Sequence, residues 1–409
     1  MIDMATARIA YREIKGGTAY WSLLLGLGAL VLIGLGSAWY MEHHGHIVTG
    51  MSNRIVWGIP HVFAIFLILA ASGVLNIASI ASVFDGKPYK PLARMSGLMA
   101  IALLVGGLAV LVLDLGRPER LIVAMTTYNF KSIFAWNIFL YTGFLVVVMA
   151  YLFVQMEATM HAYVKAAGWF ALVWRLVLTS GTGSIFGWLV ARQAYDAAIM
   201  APFFIAMSFA YGLAVFILVL MVVCKINGRE LGDALIDRLA RLLGVFAGAV
   251  LYMTAVMHLT NLYAAEHGGV ERFILADGGI YTAAFWLGHI LVGCLAPMVL
   301  LLYPAFRASR ALVASACGLV IAGAIAHLYV IIIGGQAFPL LMFPGQEVSS
   351  SFFDGVIAPY SPSLPEFGLA VGGVALALAI TLAGMRVLRF MPKNLADERA
   401  EPTAKQSPA

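Results

Sequence analysis

Cysteine and charge are what this sequence lacks. Of its 409 residues only three are cysteines, Cys224, Cys294 and Cys317, far apart in apolar surroundings and without a CxxC or CxxCH spacing. That excludes a disulfide scaffold, covalently attached c-type haem and a cysteine-held iron–sulfur cluster within the chain. Charged residues make up 11%, against about 25% in soluble domains, so the polar surface is too small to coat the protein in water. The formal net charge of +5 and a pI near 9.0 rest on basic residues in the segments between apolar runs. Membrane topology, not nucleic acid, accounts for that placement.

What is present is apolar side chain: 62% of the residues are hydrophobic and the mean hydropathy is +0.93. A helix needs about 20 apolar residues to cross about 30 Å of hydrocarbon. Ten stretches qualify, near 20–41, 56–83, 94–115, 132–155, 165–191, 198–224, 242–264, 280–303, 311–333 and 365–388. A closed barrel would show short alternating strands instead of continuous runs. The pattern predicts an all-α polytopic membrane domain over 20–390, preceded by a tail at 1–19. Residues 391–409, with Pro392, Pro402, Pro408 and mixed charge, predict a disordered tail. The first apolar run has no small-residue cleavage site after it, so it reads as an uncleaved helix.

Eighteen of the 25 Lys and Arg residues fall in the two tails and the alternate loops on their side, including the cluster Lys225, Arg229, Arg238 and Arg241. The positive-inside rule places both termini in the cytoplasm of a bacterial inner membrane. The longest loop, about 334–364, has no basic residue but carries Pro339, Pro344, Pro359 and Pro362, as a lid or docking surface on the outer face would.

Polar groups in hydrocarbon are expensive and mark where function is to be sought. On the second stretch His61, Ser72 and Ser79 are 11 and 7 positions apart, which at about 100° per residue returns them nearly to one stripe, with Asn76 a turn beyond Ser72. Such a stripe either glues helices together or conducts protons. His61 follows Trp57-Gly58-Ile59-Pro60 at the outer edge, where a neutral imidazole can both donate and accept. Between the third and fourth stretches lie Asp114-Leu115-Gly116-Arg117-Pro118, Tyr128-Asn129-Phe130-Lys131-Ser132 and Trp136-Asn137, with Tyr141 a turn later. Gly116 and Pro118 predict a tight turn across which Asp114 and Arg117 can pair. Arg175, Thr179 and Thr182 share one face of the fifth helix, with Arg175 about 15 Å deep, as a hydrated path or a structural lock requires.

His258 with Thr254 and Asn261, His289 and His327 fall at similar depth, which suits either a b-type haem or interhelical hydrogen bonds. Glu42-His43-His44-Gly45-His46 offers metal-binding side chains without fixed geometry, and no metal site is assigned.

Taken in order, Trp57-Gly58-x-x-His61, the Asp114–Pro118 turn, Asn129-Phe-Lys-Ser132 leading into Trp136, and Ser184-Ile-Phe-Gly187 followed by Arg192 resemble the NrfD/PsrC family of polysulfide-reductase-type membrane subunits, over about 11–389. Within it, His43-His44-Gly45-His46 and Arg192-Gln-Ala-Tyr-Asp196 look closest to the branch found in sulfur-metabolising prokaryotes. The resemblance implies two four-helix bundles, spans two to five and six to nine, with one flanking helix at each end. It implies a subunit without redox metals of its own that acts within a complex. A membrane quinone, menaquinone or ubiquinone, would bind near the outer face. His61 and Asp114 would be its acid–base groups, with Trp57, Arg117, Tyr128, Trp136 and Asn137 around it. A periplasmic ferredoxin-like iron–sulfur subunit would dock above, alongside cytochrome subunits, and Ser72, Asn76, Ser79, Arg175 and Thr179 would carry protons. Two other readings stay open: a b-type haem cytochrome using His258, His289 and His327, and a secondary transporter hinted at by Pro60–Gly73 and Pro202–Gly212.

Overall fold

In the computed structural model, residues 10–339, 355–393 and 395 are described. Ten long helices run up and down: α1 (Thr18–His44), α2 (Ile59–Ser82), α3 (Lys87–Leu113), α4 (Ile133–Met156), α5 (Val164–Ile185), α6 (Met200–Ile226), α7 (Asp233–Tyr263), α8 (Ile280–Leu302), α9 (Arg310–Ala337) and α10 (Leu364–Val387). Among the described residues, all but α5 are both long and apolar enough to cross a membrane. Helix α5 has the length, but Lys165, Arg175 and the small polar run Thr179-Ser180-Gly181-Thr182 lower its hydropathy. The chain is a multi-pass membrane protein.

Helices α2 to α5 form one bundle and α6 to α9 a second, joined where α2 crosses α6. The two flanking helices are not at opposite ends of the molecule: α1 packs on α10, and α10 packs on α3, so both cover the first bundle. The crossings use small residues, as membrane helices without a hydrophobic driving force between them must. A methyl group at Gly73 of α2 would run into the Ser208 carbonyl of α6, and one at Gly212 into the backbone of Gly73.

Several elements differ from the expectation. Helix α7 begins at Asp233, so Arg238 and Arg241 lie on a helix and not in a loop; Asp237 bonds Arg241 and Arg307, and Asp233 bonds Arg310. Helix α2 breaks at Leu75 between Ile59–Val74 and Asn76–Ser82. Parts of α8 (Ala284–Leu295) and α9 (Val330–Gly334) are wound as π-helix, a form concentrated at functional sites.

The terminal tails also begin in order. Strand β1 (Tyr11–Arg12) pairs antiparallel with β2 (Met391–Pro392), and Leu395 bridges Leu231. Arg229 ties the tails together by donating to the carbonyls of Pro392 and Glu13. The expected tail at 391–409 therefore starts with a buried Met391, and most of its remainder lies outside the described residues, as do residues 340–354 of the expected long loop.

Gly73→Val is expected to destabilise the protein by about 1–3 kcal/mol or more, because backbone must separate to admit it. Gly36→Ala, where nothing lies within 4 Å, is expected to leave thermal unfolding in detergent unchanged or slightly later.

Candidate functional site

The face of the molecule opposite the paired tails carries the site. There the chain between α1 and α2 approaches the membrane in a non-helical stretch, Arg54 to Gly58, whose peptide groups need partners from outside. Gln336, at the end of α9, supplies them: its Oε1 accepts from the N–H groups of Val56 (2.9 Å) and Trp57 (3.1 Å), and its Nε2 donates to the Trp57 carbonyl (3.0 Å). Arg192 donates to the carbonyls of Gln336 and Arg54, closing the clamp. On the other side, the Ile59 N–H donates to the Tyr360 hydroxyl (2.7 Å), which donates to Glu366 Oε1 (2.7 Å). Glu366, fully buried, also accepts from the N–H groups of Gly50 and Ser363. Burial and then the Glu366 carboxylate push the Tyr360 phenol well above its ordinary range, which keeps it a donor. Gly58 has no side chain because one would collide with Glu366 and Tyr360.

The clamp fixes where α2 starts and therefore where His61 points. His61 Nδ1 lies 3.1 Å from Asp114 Oδ2 at the end of α3. The carboxylate fixes the tautomer with the proton on Nδ1, leaving Nε2 as the exchanging nitrogen. Asp114 is 7% exposed, and its other oxygen, Oδ1, is buried without a partner. Trp57 stacks on the His61 ring at 5.7 Å.

A cavity of about 350 Å³ opens beside this pair, lined by Trp57, His61, Leu111, Asn137, Tyr141 and Phe186 among others. Its walls are almost wholly apolar, with His61, Asn137, Tyr141 and Thr142 among the few lining side chains that carry polar groups. Asn137 donates to the carbonyls of Ile133 and Gly181, which holds it across α4 and α5. The Tyr141 hydroxyl lies 3.2 Å from Thr182 Oγ1. Toward the surface the lining passes to Leu115, Leu121, Met125 and Phe134; Leu115, Met125 and Phe134 are exposed. The short helix Leu121–Thr126, which has no buried residue, roofs this side.

Of the residues expected around the site, Trp57, His61 and Asn137 line the cavity and Asp114 backs it. Arg117, Tyr128 and Trp136 do not line it. Asp114 bonds His61 and not Arg117, because Gly116 turns the chain with φ +68° and leaves Arg117 exposed. Tyr128 packs on Phe139 at 4.4 Å, and Trp136 donates outward to the Phe130 carbonyl. Gln336, Tyr360 and Glu366 were missed by sequence reading: no local spacing links α9 or α10 to residue 57. A lone Gln and Glu at the edges of apolar runs were the available signal.

In the first bundle, Ser72, Arg175 and Thr179 meet. Thr179 lies 2.6 Å from Ser72 Oγ, and Arg175 Nη1 donates to the Ser72 carbonyl at 3.4 Å, with Nε unpartnered. Asn76 Nδ2 is likewise unpartnered, whereas Ser79 donates back to the Leu75 carbonyl of its own helix. In the second bundle the His289 and His327 rings stack at 3.6 Å and 13°. Faces in that contact leave no width for a macrocycle, and His289 Nε2 is bonded to Thr254. His43 stacks on Trp39, His44 packs at a tilt on Tyr40, and the two imidazoles meet edge to face at 5.3 Å. Among the described residues no three His, Cys, Asp or Glu side chains form a group able to hold a metal ion.

Gln336→Ala is expected to cost about 2–3 kcal/mol, since the Trp57 and Val56 peptide groups lose their partners. Amide hydrogen exchange over 54–60 is expected to accelerate while exchange in α10 stays slow; unchanged exchange at 54–60 would remove Gln336 as the clamp.

Residues 47–340 match the family pattern described as polysulphide reductase, NrfD. The chain is 30% identical to the Hdr-like menaquinol oxidoreductase integral membrane subunit of Archaeoglobus fulgidus, over 96% of this chain and 99% of that protein. It is 24% identical to the menaquinone reductase integral membrane subunit of Nitratidesulfovibrio vulgaris, over 88% and 89%. To the protein NrfD of Escherichia coli it is 22% identical, over 69% and 96%. With the site formed between the first helices of this matched region, the protein belongs to the NrfD family of polysulphide-reductase-type membrane proteins.

Proposed function

We propose that this chain is the quinone-binding membrane subunit of a multi-subunit redox complex. It exchanges electrons between membrane quinone or quinol and an iron–sulfur protein of ferredoxin type docked on the face opposite the tails. On this reading that face is periplasmic, the tails are cytoplasmic, and the bilayer is the bacterial inner membrane. The stretches His43-His44-Gly45-His46 and Arg192-Gln-Ala-Tyr-Asp196 favour the DsrP branch, linked to dissimilatory sulfite reductase and to cytochrome subunits. The names of the relatives from Archaeoglobus and Nitratidesulfovibrio favour menaquinone over ubiquinone.

The observation that carries this reading is the His61–Asp114 pair beside an almost wholly apolar cavity that His61 lines. A quinone, when bound, supplies exchange of two electrons and two protons at its ring oxygens. His61 would hold one such proton at Nε2, because Asp114 steadies the imidazole in either protonation state. The unpartnered Asp114 Oδ1 and the Tyr141 hydroxyl are further groups by which the chain holds or moves a proton. Trp57 and Phe186 confine a flat ring, and the apolar walls exclude water. Tyr141, Thr182, Thr179, Ser72 and Arg175 continue inward from the cavity, and this line, with Asn76 and Ser79, is the proposed proton path toward the tail side.

The cavity volume is near the lower end of the roughly 300–1,000 Å³ of small-molecule sites. It suits a ring and the first prenyl units, so the rest of the tail would leave between α3 and α4 beneath Leu121 and Met125. In the assembled complex, His61→Ala and Asp114→Asn are each expected to lower quinone-linked electron transfer by about 10²-fold or more, the size of a lost acid–base group. Unchanged turnover in both rejects the site. Met125→Trp is expected to raise KM for long-tailed quinones while leaving a short-tailed analogue unaffected; an equal effect on both rejects the exit route alone.

A further inference from the structure

The second bundle contains a fully buried carboxylate that the quinone site does not use. Glu271 sits on the short helix Gly268–Arg272 that leads into α8, and its side chain is 0% exposed. Its Oε2 lies 2.6 Å from His258 Nδ1 of α7, and its Oε1 accepts from Asn261 Nδ2 at 2.8 Å. The neighbouring cation, Arg272, turns outward to Asp277. Titratable groups approaching from the packed elements are His289 and Cys294 of α8 and His327 of α9; Tyr281 and Tyr329 pack beyond Phe273.

A carboxylate beside a neutral imidazole would leave one negative charge where Asn261 supplies only a dipole. One added proton, on either partner, brings the pair to zero net charge, the state a low-dielectric site favours. One turn inward, Thr254 donates to the Val250 carbonyl, so its oxygen accepts from His289 Nε2–H at 2.9 Å. His327 stacks on His289, and its Nδ1 is buried with no partner. Exposed Gly268, Gly269 and Arg272 put Glu271 within one turn of the surface opposite the tails.

We propose that Glu271 and His258 form a proton-binding site of the second bundle, separate from the quinone cavity, which takes up and releases one proton with the aqueous phase on the site face, and that Thr254, His289 and His327 are its inward extension. The step balances as binding of one H⁺ to the pair, with no bond to carbon and no electron involved.

The test is pH-difference infrared spectroscopy of the full chain in lipid vesicles, in H₂O and D₂O. A protonated-carboxyl band that rises and falls with pH and shifts on deuteration is expected in the parent and absent in Glu271→Gln, which keeps the shape and the Asn261 contact. In His258→Gln the Glu271 band is expected to persist to higher pH, because the base that shares its proton is gone. A purely structural tie moves neither signal. Identical spectra in the parent and Glu271→Gln overturn the proposal. Should Glu271→Gln fail to fold, an unmoved carboxyl midpoint in His258→Gln overturns it equally.

Discussion

The non-helical backbone between Gly50 and the start of α2 sets the geometry of everything around the cavity. In hydrocarbon or at its edge an unpaired peptide group costs several kcal/mol, so this stretch holds its path only because Gln336, Arg192, Tyr360 and Glu366 reach it from the α9, α5–α6 and α10 regions. Trp57 and His61 are presented by that clamp. The flanking helix α10 thereby has a role beyond covering the first bundle: its first turn carries the carboxylate on which the entrance of α2 is hung.

The same rule of paired polar groups sorts the interior. Ser79 and Thr381 return their hydroxyl protons to carbonyls of their own helices. Asp114, Arg175, Asn76 and His327 each keep an atom without a partner. The Asp114 atom lies beside His61, those of Arg175 and Asn76 belong to the region further along α2, and that of His327 is in the second bundle; α9 carries His327 on its inner turns and Gln336 at its end, with a π-wound segment between them. A shift of α9 would be felt at Trp57 and at the stacked imidazoles together.

How much is legible without the fold follows from which interactions are local. His61 and Asp114 stand out because each is an ionisable group flanked by apolar sequence, and their pairing needs only that α2 and α3 be neighbours. Arg117, Tyr128 and Trp136 stand out for the same compositional reason, yet a turn residue at positive φ and an interfacial helix direct them elsewhere. Glu271 does not stand out, since a Glu between Gly268-Gly269 and Arg272 reads as an exposed loop residue. Only the packing of its short helix against α7 buries it.

The sequence by itself determined the class: a chain so poor in charge and so rich in apolar runs of helical length is built for a bilayer. It determined too which residues would be costly to bury. Tertiary structure decided which of these meet, because partners for a buried dipole or charge come from helices hundreds of positions apart, and the approach of α2 to α6 at glycine backbones fixes distances that no periodicity encodes.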